Sequence, residues 1–422
     1  MKPSNNNIRI LSVEILDKVF YKGKNLKREY ENSACNLNSR DSAFLKFLVY
    51  GVVRLKNSID TEISSLYKGS YRDMGNSCKN ILRVGIYQIE FMNSVPDYAA
   101  VNSTVELAKL RNYKFSKIVN AILNRYIREG RSVSLEDILQ NYSKPFIDEL
   151  KKRYSYKEIH KICLWNEKKP ILWFRVREEY ISEISDLFSG GYCRFDSRLN
   201  YIGFESYNDE IDENLKKDVI FSQSPGSGLV VDLINVGNED RVIDACAAPG
   251  GKAKCILELS GSPELVYIND FNKKRYLKMK SELKDSKATM LNLDASQSDF
   301  PKANKILVDV PCSSTGTIQK NPDIKWKRIN VPDLAKSQYE ILENMSKNLK
   351  TGGAIVYSTC SIYSRENFEV VQKFLDLNRN FKIDRASKYI GEKFVDGNGC
   401  LNIFSPKHNI ESIFAARLIK MA

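Results

Sequence analysis

Val242-Ile243-Asp244-Ala245-Cys246-Ala247-Ala248-Pro249-Gly250-Gly251-Lys252 decides how this chain is read. An apolar run ends in a carboxylate. Small residues and two glycines follow, and Ala253–Leu259 then carries a helical pattern. The segment reads as strand, tight turn and helix. Small side chains let the turn's backbone approach a ligand closely. The first turn of the helix leaves N–H groups unpaired beside it. About 20 residues on, Asp270 closes the next apolar run, where an acidic side chain accepts hydrogen bonds from ribose hydroxyls.

Two phosphate-binding readings fail. A P-loop needs glycine six residues before its lysine and Ser or Thr after it, and those positions are Cys246 and Ala253. The dinucleotide fingerprint G-x-G-x-x-G is absent. An acidic ribose anchor without a phosphate-binding glycine set suits an adenosine ligand that lacks phosphates. S-adenosylmethionine is the common ligand of that description, and a tight turn with no ligand is the alternative.

Working outward, further apolar runs recur: Leu265-Val266-Tyr267-Ile268, Ala288–Leu293, Ile306–Val310 and Ala354–Tyr357. Near-continuous apolar runs alternating with helical segments are strands buried on both faces. They predict a doubly wound, mostly parallel α/β sheet over residues 216–422. Two of these strands end in cysteine motifs, Asp309-Val310-Pro311-Cys312-Ser313 and Tyr357-Ser358-Thr359-Cys360-Ser361. The carboxyl ends of strands are where an open α/β sheet places its active site.

Residues 1–135 read differently. Ile8, Leu11, Ile15 and Val19 share a helical face. Ser39 is the expected N-cap of a helix carrying Phe44, Leu48, Val52, Leu55 and Ile59. A third helix carries Ile81, Leu82, Gly85, Ile86 and Ile89 and is expected to end at Pro96. Two more run through Val101–Leu110 and Ile118–Ile127. These make an all-α domain. Residues 136–215 read as a helical linker followed by a small α+β unit, with strands near Ile171–Val176, Tyr192–Phe195 and Tyr201–Phe204 and a break at Gly190-Gly191.

The net charge of +13 favours an anionic partner. Residues 1–130 hold 21 Lys+Arg against 12 Asp+Glu. Nucleic acid is the partner expected, and a solvated lysine-rich face is the bland alternative. Nine scattered cysteines without a C-x-x-C pair give neither a disulfide framework nor a zinc site. Two histidines make a His-based mechanism or a His-rich metal site improbable, and no metal is expected. No secretory signal or apolar run of membrane-spanning length is present, so a cytoplasmic protein is expected.

Taken together, Asp244–Lys252, Asp309–Ser313 and Ser358–Ser361 resemble the signature motifs of RNA 5-methylcytosine methyltransferases. Asn321-Pro322-Asp323-Ile324-Lys325-Trp326 and Arg365-Glu366-Asn367 also look like that family. Arg40–Phe44, Val49–Arg54, Leu82–Gln88 and Val119–Arg125 resemble the NusB-like helical domain that one branch carries. The combination is similar to the Sun/RsmB type, which methylates 16S rRNA at a cytosine of the position-967 kind.

The resemblance implies a three-part protein, with a NusB-like domain, a linker and a Rossmann-like methyltransferase domain. It implies S-adenosyl-L-methionine as methyl donor, held by Cys246, Ala247, Ala248, Pro249, Gly250, Gly251, Lys252, Asp270, Asp294 and Asp309. It implies that Cys360 is the nucleophile and Cys312 the thiol linked to release, with 16S rRNA as partner and a monomer as the working state. A thiolate added at carbon 6 of cytosine makes carbon 5 enamine-like and able to take a methyl group. Asp309 is expected at the base edge, at the cofactor, or at both. The donor's sulfonium is one charge that would favour the Cys360 thiolate, and Lys325 or Arg365 are candidates for another.

Cys35, Cys78, Cys163, Cys193, Cys255 and Cys400 are expected to be buried and inert. Cys246 is expected to be a small lining residue. Two places depart from the family pattern: Gln223-Ser224 stands for Gln-Asp, and Glu411-Ser412-Ile413-Phe414 for Asp-Gly-Phe-Phe. The rival readings are the same chemistry on tRNA, against which the NusB-like part argues, and a non-catalytic RNA-binding or antitermination factor, against which Cys360, Cys312 and Asp309 argue.

Overall fold

The computed structural model describes residues 5–111, 113–188, 191–195, 197 and 199–422; Gly190 of the expected break lies outside them. The chain forms two compact units. Residues 1–167 with 320–328 make one, and residues 168–319 with 329–422 make the other.

The first unit is all helical: α1 (Asn5–Lys22), α2 (Leu26–Ala34), α3 (Ser39–Arg54), α4 (Lys56–Leu66), α5 (Asn76–Phe91), α6 (Asp97–Arg111), α7 (Tyr113–Arg128), α8 (Lys144–Leu150) and α9 (Tyr156–Glu167). Its core is the predicted stripes, with Ile8, Ile15, Leu48, Val52, Ile59, Ile81, Ile86, Val119 and Leu123 all buried. Within that core Arg83 makes a two-pronged ion pair with Asp60, Nε to Oδ1 at 2.6 Å and Nη2 to Oδ2 at 2.7 Å.

Three local expectations are corrected. Asn38 rather than Ser39 caps α3, its side chain accepting the Asp41 N–H at 2.8 Å. The stripe from Phe44 to Ile59 spans two helices, because Leu55 leaves helical geometry between them. Pro96 does not end α5, which stops at Phe91; its carbonyl instead accepts the Ala99 and Ala100 N–H groups and so opens α6. Proline's fixed φ and missing N–H suit a helix start.

The second unit holds two sheets. The smaller is antiparallel, in the order β2 (Tyr192–Phe195), β3 (Tyr201–Phe204), β1 (Leu172–Val176), β4 (Ile220–Ser222). The larger contains β5 (Val242–Asp244), β6 (Val266–Asn269), β7 (Thr289–Leu291), β8 (Ala303–Asp309), β9 (Leu349–Thr359), β10 (Phe381–Ile383), β11 (Leu401–Asn402) and β12 (Phe414–Lys420). Its order is β10-β12-β9-β8-β5-β6-β7, with β11 paired to β12. Strands β5 to β9 are parallel, and β10 to β12 add antiparallel neighbours beyond β9.

From β5 the chain winds outward through β6 and β7, then returns to β8 on β5's other side. The crevice at the carboxyl ends of β5 and β8 is therefore the switch point of the sheet, where open α/β folds bind ligands. The register sets Asp309 beside Ser358, so Cys360 emerges two residues beyond the strand pair.

Candidate active site

The glycine-rich turn is held from behind. Ala247 N–H donates to the Asn269 carbonyl at 2.8 Å, and Gly250 N–H to the Ala247 carbonyl at 2.8 Å. Gly250 has φ +109°, a conformation that L side chains rarely adopt, and an added Cβ would press on Met279 at 3.2 Å. Helix Gly251–Leu259 starts directly after it. Asp270 is buried at the end of β6; Oδ2 accepts the Ala248 N–H at 3.2 Å and Oδ1 the Asn272 N–H at 2.8 Å. Asp294 accepts the Ser296 N–H and hydroxyl, and its hydroxyl bond to Ser296 leads in lowering its pKa.

Asp244 closes β5 fully buried, and neither carboxylate oxygen has a hydrogen-bond partner among the described residues. Burial, then the Asp309 charge, push its pKa up to about 8. An orphaned buried carboxyl beside a narrow turn and an open helix N-terminus fits a small cationic nucleoside such as S-adenosylmethionine. Cys246 is only partly exposed, and burial holds its thiol high, so it is no nucleophile.

Next to this turn lies the thiol pair. Cys312 Sγ and Cys360 Sγ are 3.1 Å apart. The hydrogen bond from Cys312 is the largest influence on Cys360 and lowers its pKa; burial opposes it, Ser314 and Lys252 also lower it, and Asp309 raises it. Cys312 moves the other way, raised by that same bond, then by burial and by the charges of Cys360 and Glu366. The pair therefore favours the thiolate on Cys360 and the thiol on Cys312.

Lys252 Nζ lies 2.7 Å from Asp309 Oδ2, and the Ser358 hydroxyl donates to Asp309 Oδ1 at 2.7 Å. Burial acts to lower the Lys252 pKa, but the Asp309 charge and hydrogen bond outweigh it, so this ammonium stays charged. The structure thus brings Lys252, Asp309, Cys312 and Cys360 into one electrostatic cluster.

The expected cation Lys325 is elsewhere. Fully buried in the helical unit, it donates to the Glu167 carboxylate at 2.7 Å and the Arg54 carbonyl at 2.7 Å. Trp326 Nε1 donates to the Val53 carbonyl at 2.7 Å, and Asp323 accepts the Leu26 N–H at 3.3 Å. The Asn321–Trp326 motif is therefore part of the helical unit's packing, and Lys252 is a cation whose charge lowers the Cys360 pKa. Cys35 and Cys193 are exposed rather than buried and Cys78 is half-buried, while Cys163, Cys255 and Cys400 are buried.

Sequence reasoning missed Asn269. Fully buried, it donates to the Ala245 carbonyl at 2.8 Å and the Leu293 carbonyl at 3.0 Å, and accepts the Leu293 N–H at 2.8 Å. It ties the cofactor turn to the segment bearing Asp294. Its place one residue before Asp270 was the available signal. The two departures also have a place. Gln223 donates to the Gly251 carbonyl at 2.8 Å, supporting the turn, and the Ser224 hydroxyl beside it is buried without a hydrogen-bond partner among the described residues. Ser412 is buried against the Ser405 hydroxyl at 2.5 Å, and its N–H donates to the Gly316 carbonyl at 3.3 Å.

Residues 231–419 match the family described as 16S rRNA methyltransferase RsmB/F, and residues 6–128 match the NusB family. A protein of Shewanella oneidensis named ribosomal RNA small subunit methyltransferase B is 29% identical, covering 98% of this chain and 99% of its own length. One of the same name from Proteus mirabilis is 28% identical over 93% of this chain and 97% of its own. Among solved structures, PH0851 superposes with a TM-score of 0.77 at 21% identity, covering 100% of both chains. NSun6 from Pyrococcus horikoshii, solved with SFG, gives 0.55 at 19% identity over 67% of this chain and 100% of that one. These last two likenesses are of fold.

Proposed function

We propose, on the premise that this chain belongs to the RsmB/F family of RNA methyltransferases, that it methylates carbon 5 of one cytosine in 16S rRNA through a transient bond to Cys360. The family makes it an RNA methyltransferase; the covalent route, the residue roles and the target are this reading's own. The observation that carries it is the pair of thiols 3.1 Å apart, one favoured as thiolate, beside the Lys252–Asp309 ion pair.

S-adenosylmethionine, held by Cys246–Lys252, Asp270 and Asp294, supplies an electrophilic methyl group when bound. The buried Asp244 carboxyl, beside the turn, would meet its cationic charge by giving up a proton. Cys360 adds its thiolate to carbon 6 of the ring, breaking conjugation so that carbon 5 becomes nucleophilic. Negative charge then builds on the ring's polar edge. Lys252 and Asp309, fixed by Ser358, form a preorganised polar group for that charge. After methylation a solvent base takes the carbon 5 proton, the pair it leaves re-forms the ring double bond, and the carbon–sulfur pair returns to Cys360; the Cys312 thiol assists this release by donating a hydrogen bond to the departing sulfur. A base attacked above its ring plane must leave its stack. The basic helical unit grips rRNA phosphates, in the cytoplasm, with the enzyme acting as a monomer.

Incubation with donor and an rRNA fragment bearing 5-fluorocytosine traps the adduct, because fluorine cannot leave as a proton does. Mass spectrometry is expected to find the ring on the Cys360 peptide; an adduct on another residue, or none, refutes the route. Methylation of purified 16S rRNA but not tRNA, mapped at the position-967 cytosine, is the expected specificity.

A further inference from the structure

The two cysteines lie on separate loops, one after β8 and one after β9. They touch directly, the Ser313 hydroxyl donating to the Ser361 hydroxyl at 3.0 Å and the Gly316 N–H to the Cys360 carbonyl at 2.8 Å, and a buried carboxylate bonds to both. Glu366 has no solvent exposure and sits in the turn Ser364–Glu366. Its Oε1 accepts the Ser313 N–H at 2.8 Å and the Gln338 amide at 2.9 Å. Its Oε2 accepts the Ser361 hydroxyl at 2.5 Å. Ser313 follows Cys312 directly and Ser361 follows Cys360 directly. The Gln338 amide also donates to the Pro311 carbonyl at 3.0 Å, so Cys312 is gripped on both sides. Tyr357 OH donates to Glu366's own carbonyl at 2.5 Å and holds the turn in place.

We infer that Glu366 is a positioning residue for both thiols, clamping the Cys312 loop to the Cys360 loop while setting its negative charge against the Cys312 side of the pair. This rests on the covalent reading above. On the Cys312 side the carboxylate meets the backbone itself; on the Cys360 side it reaches only a hydroxyl. The Glu366 charge bears on Cys312 and is not among the leading influences on Cys360, so a thiolate on Cys312 faces more repulsion and the shared proton favours Cys312. The charge on Glu366 is among the influences that raise Cys312. One anionic anchor thus assigns the two thiols to different jobs: nucleophile at position 360, proton-bearing partner at 312. Removing the charge leaves two thiols competing for one proton. Removing a hydroxyl from the clamp loosens the geometry and leaves that assignment intact.

The test uses the full-length chain in three variants: Glu366→Gln, Glu366→Asp and Ser361→Ala. Trace alkylation by iodoacetamide, read by peptide mass spectrometry, gives the ratio of label on Cys312 to label on Cys360. The wild type is expected to label chiefly at Cys360. In Glu366→Gln the Cys312 share rises severalfold, and kcat falls roughly tenfold or more with the KM for rRNA little changed, as expected for misplaced reacting groups. Glu366→Asp and Ser361→Ala keep the charge, so they keep Cys360 as the labelled thiol while kcat falls by less. Wild-type labelling and wild-type kcat in Glu366→Gln overturn the inference. If that variant fails to bind the cofactor in calorimetry, the other two decide, and wild-type turnover in both overturns the inference. A wild-type enzyme that forms no Cys360 adduct with 5-fluorocytosine RNA defeats the underlying reading. A normal adduct with unchanged variants defeats only the role of Glu366.

Discussion

Replacing Asp244 by Asn tests the electrostatics of the cofactor turn. The carboxyl is fully enclosed, has no hydrogen-bond partner among the described residues, and is raised from 3.8 to about 8 by burial and by Asp309. Between those two values the folded protein keeps a proton that the unfolded chain gives up. Stability therefore falls as pH rises through this window. Below about pH 4 both states are protonated and the cost vanishes. At about pH 7 the gap is about three units, or about 4 kcal/mol at about 1.4 kcal/mol per unit. Above about pH 8 the cost levels off. Asparagine cannot ionise and lacks the slope.

The assay is calorimetric unfolding of wild type and Asp244→Asn, compared pairwise at several values from about pH 5 to about pH 8. Differencing at each pH cancels the titrating groups that do not feel Asp244. The gap in favour of the variant is expected to widen by about 1.4 kcal/mol per unit and then flatten. Because asparagine brings its own unpaired amide, the slope is the test and not the offset. A gap that stays flat across the range refutes the argument. The same variant is expected to bind the cationic cofactor more weakly, because asparagine cannot release a proton to meet the cation as Asp244 can.

Further expectations follow from the same geometry. Cys360→Ser abolishes methyl transfer while calorimetry still detects cofactor binding; residual wild-type turnover would remove the nucleophile assignment. Cys312→Ala leaves a slow-migrating protein–RNA band on a denaturing gel, and a clean gel counts against its part in release. Gly316→Ala puts a Cβ 2.3 Å from the Ser412 carbonyl and 2.8 Å from the Cys360 carbonyl, both backbone atoms. Overpacking of this kind costs about 1–3 kcal/mol and moves Cys360, so lower Tm and lower kcat are expected together. rRNA affinity falls steeply with added salt, and a flat response would point away from phosphate contacts.

The parts of this fold that were legible are those coded by local pattern. The runs at Val242, Val266, Ile306 and Ile355 are apolar on both faces because helices cover both sides of a parallel sheet. The chain shows them without reference to anything distant. Strand β12 escaped because Phe414-Ala415-Ala416-Arg417 has weak strand propensity and is fixed by pairing with β9 instead. β4, only Ile220–Ser222, is likewise defined by its neighbour β1. The Leu55 break was hidden because the apolar stripe continues across it, so spacing alone could not find the corner.

Lys325 and Lys252 show why the site was harder than the fold. Both lysines lie in motif segments, and sequence position favours Lys325, 13 residues from Cys312. Its surroundings decide otherwise. An ammonium with no solvent exposure must have partners, and Glu167 and the Arg54 carbonyl supply them within the helical unit. Burial still drops its pKa to about 8, so its charge is spent holding that packing together. Lys252 lies far from Cys360 in sequence, yet β5, β8 and β9 are adjacent in the sheet and their carboxyl ends meet. The helix that starts after β5 carries Lys252 to Asp309, the last residue of β8, and Asp309 pairs in register with Ser358 of β9. Three strand ends thus bring together a cation, an anion and a thiol from segments more than 50 residues apart. Charge pairing between such segments has no local pattern in a chain; it exists only once the strand order is known. The same holds for the role of Glu366: the Arg365-Glu366-Asn367 motif marks the residue, but its bonds to Ser313 and Ser361 exist only once the two loops fold against it.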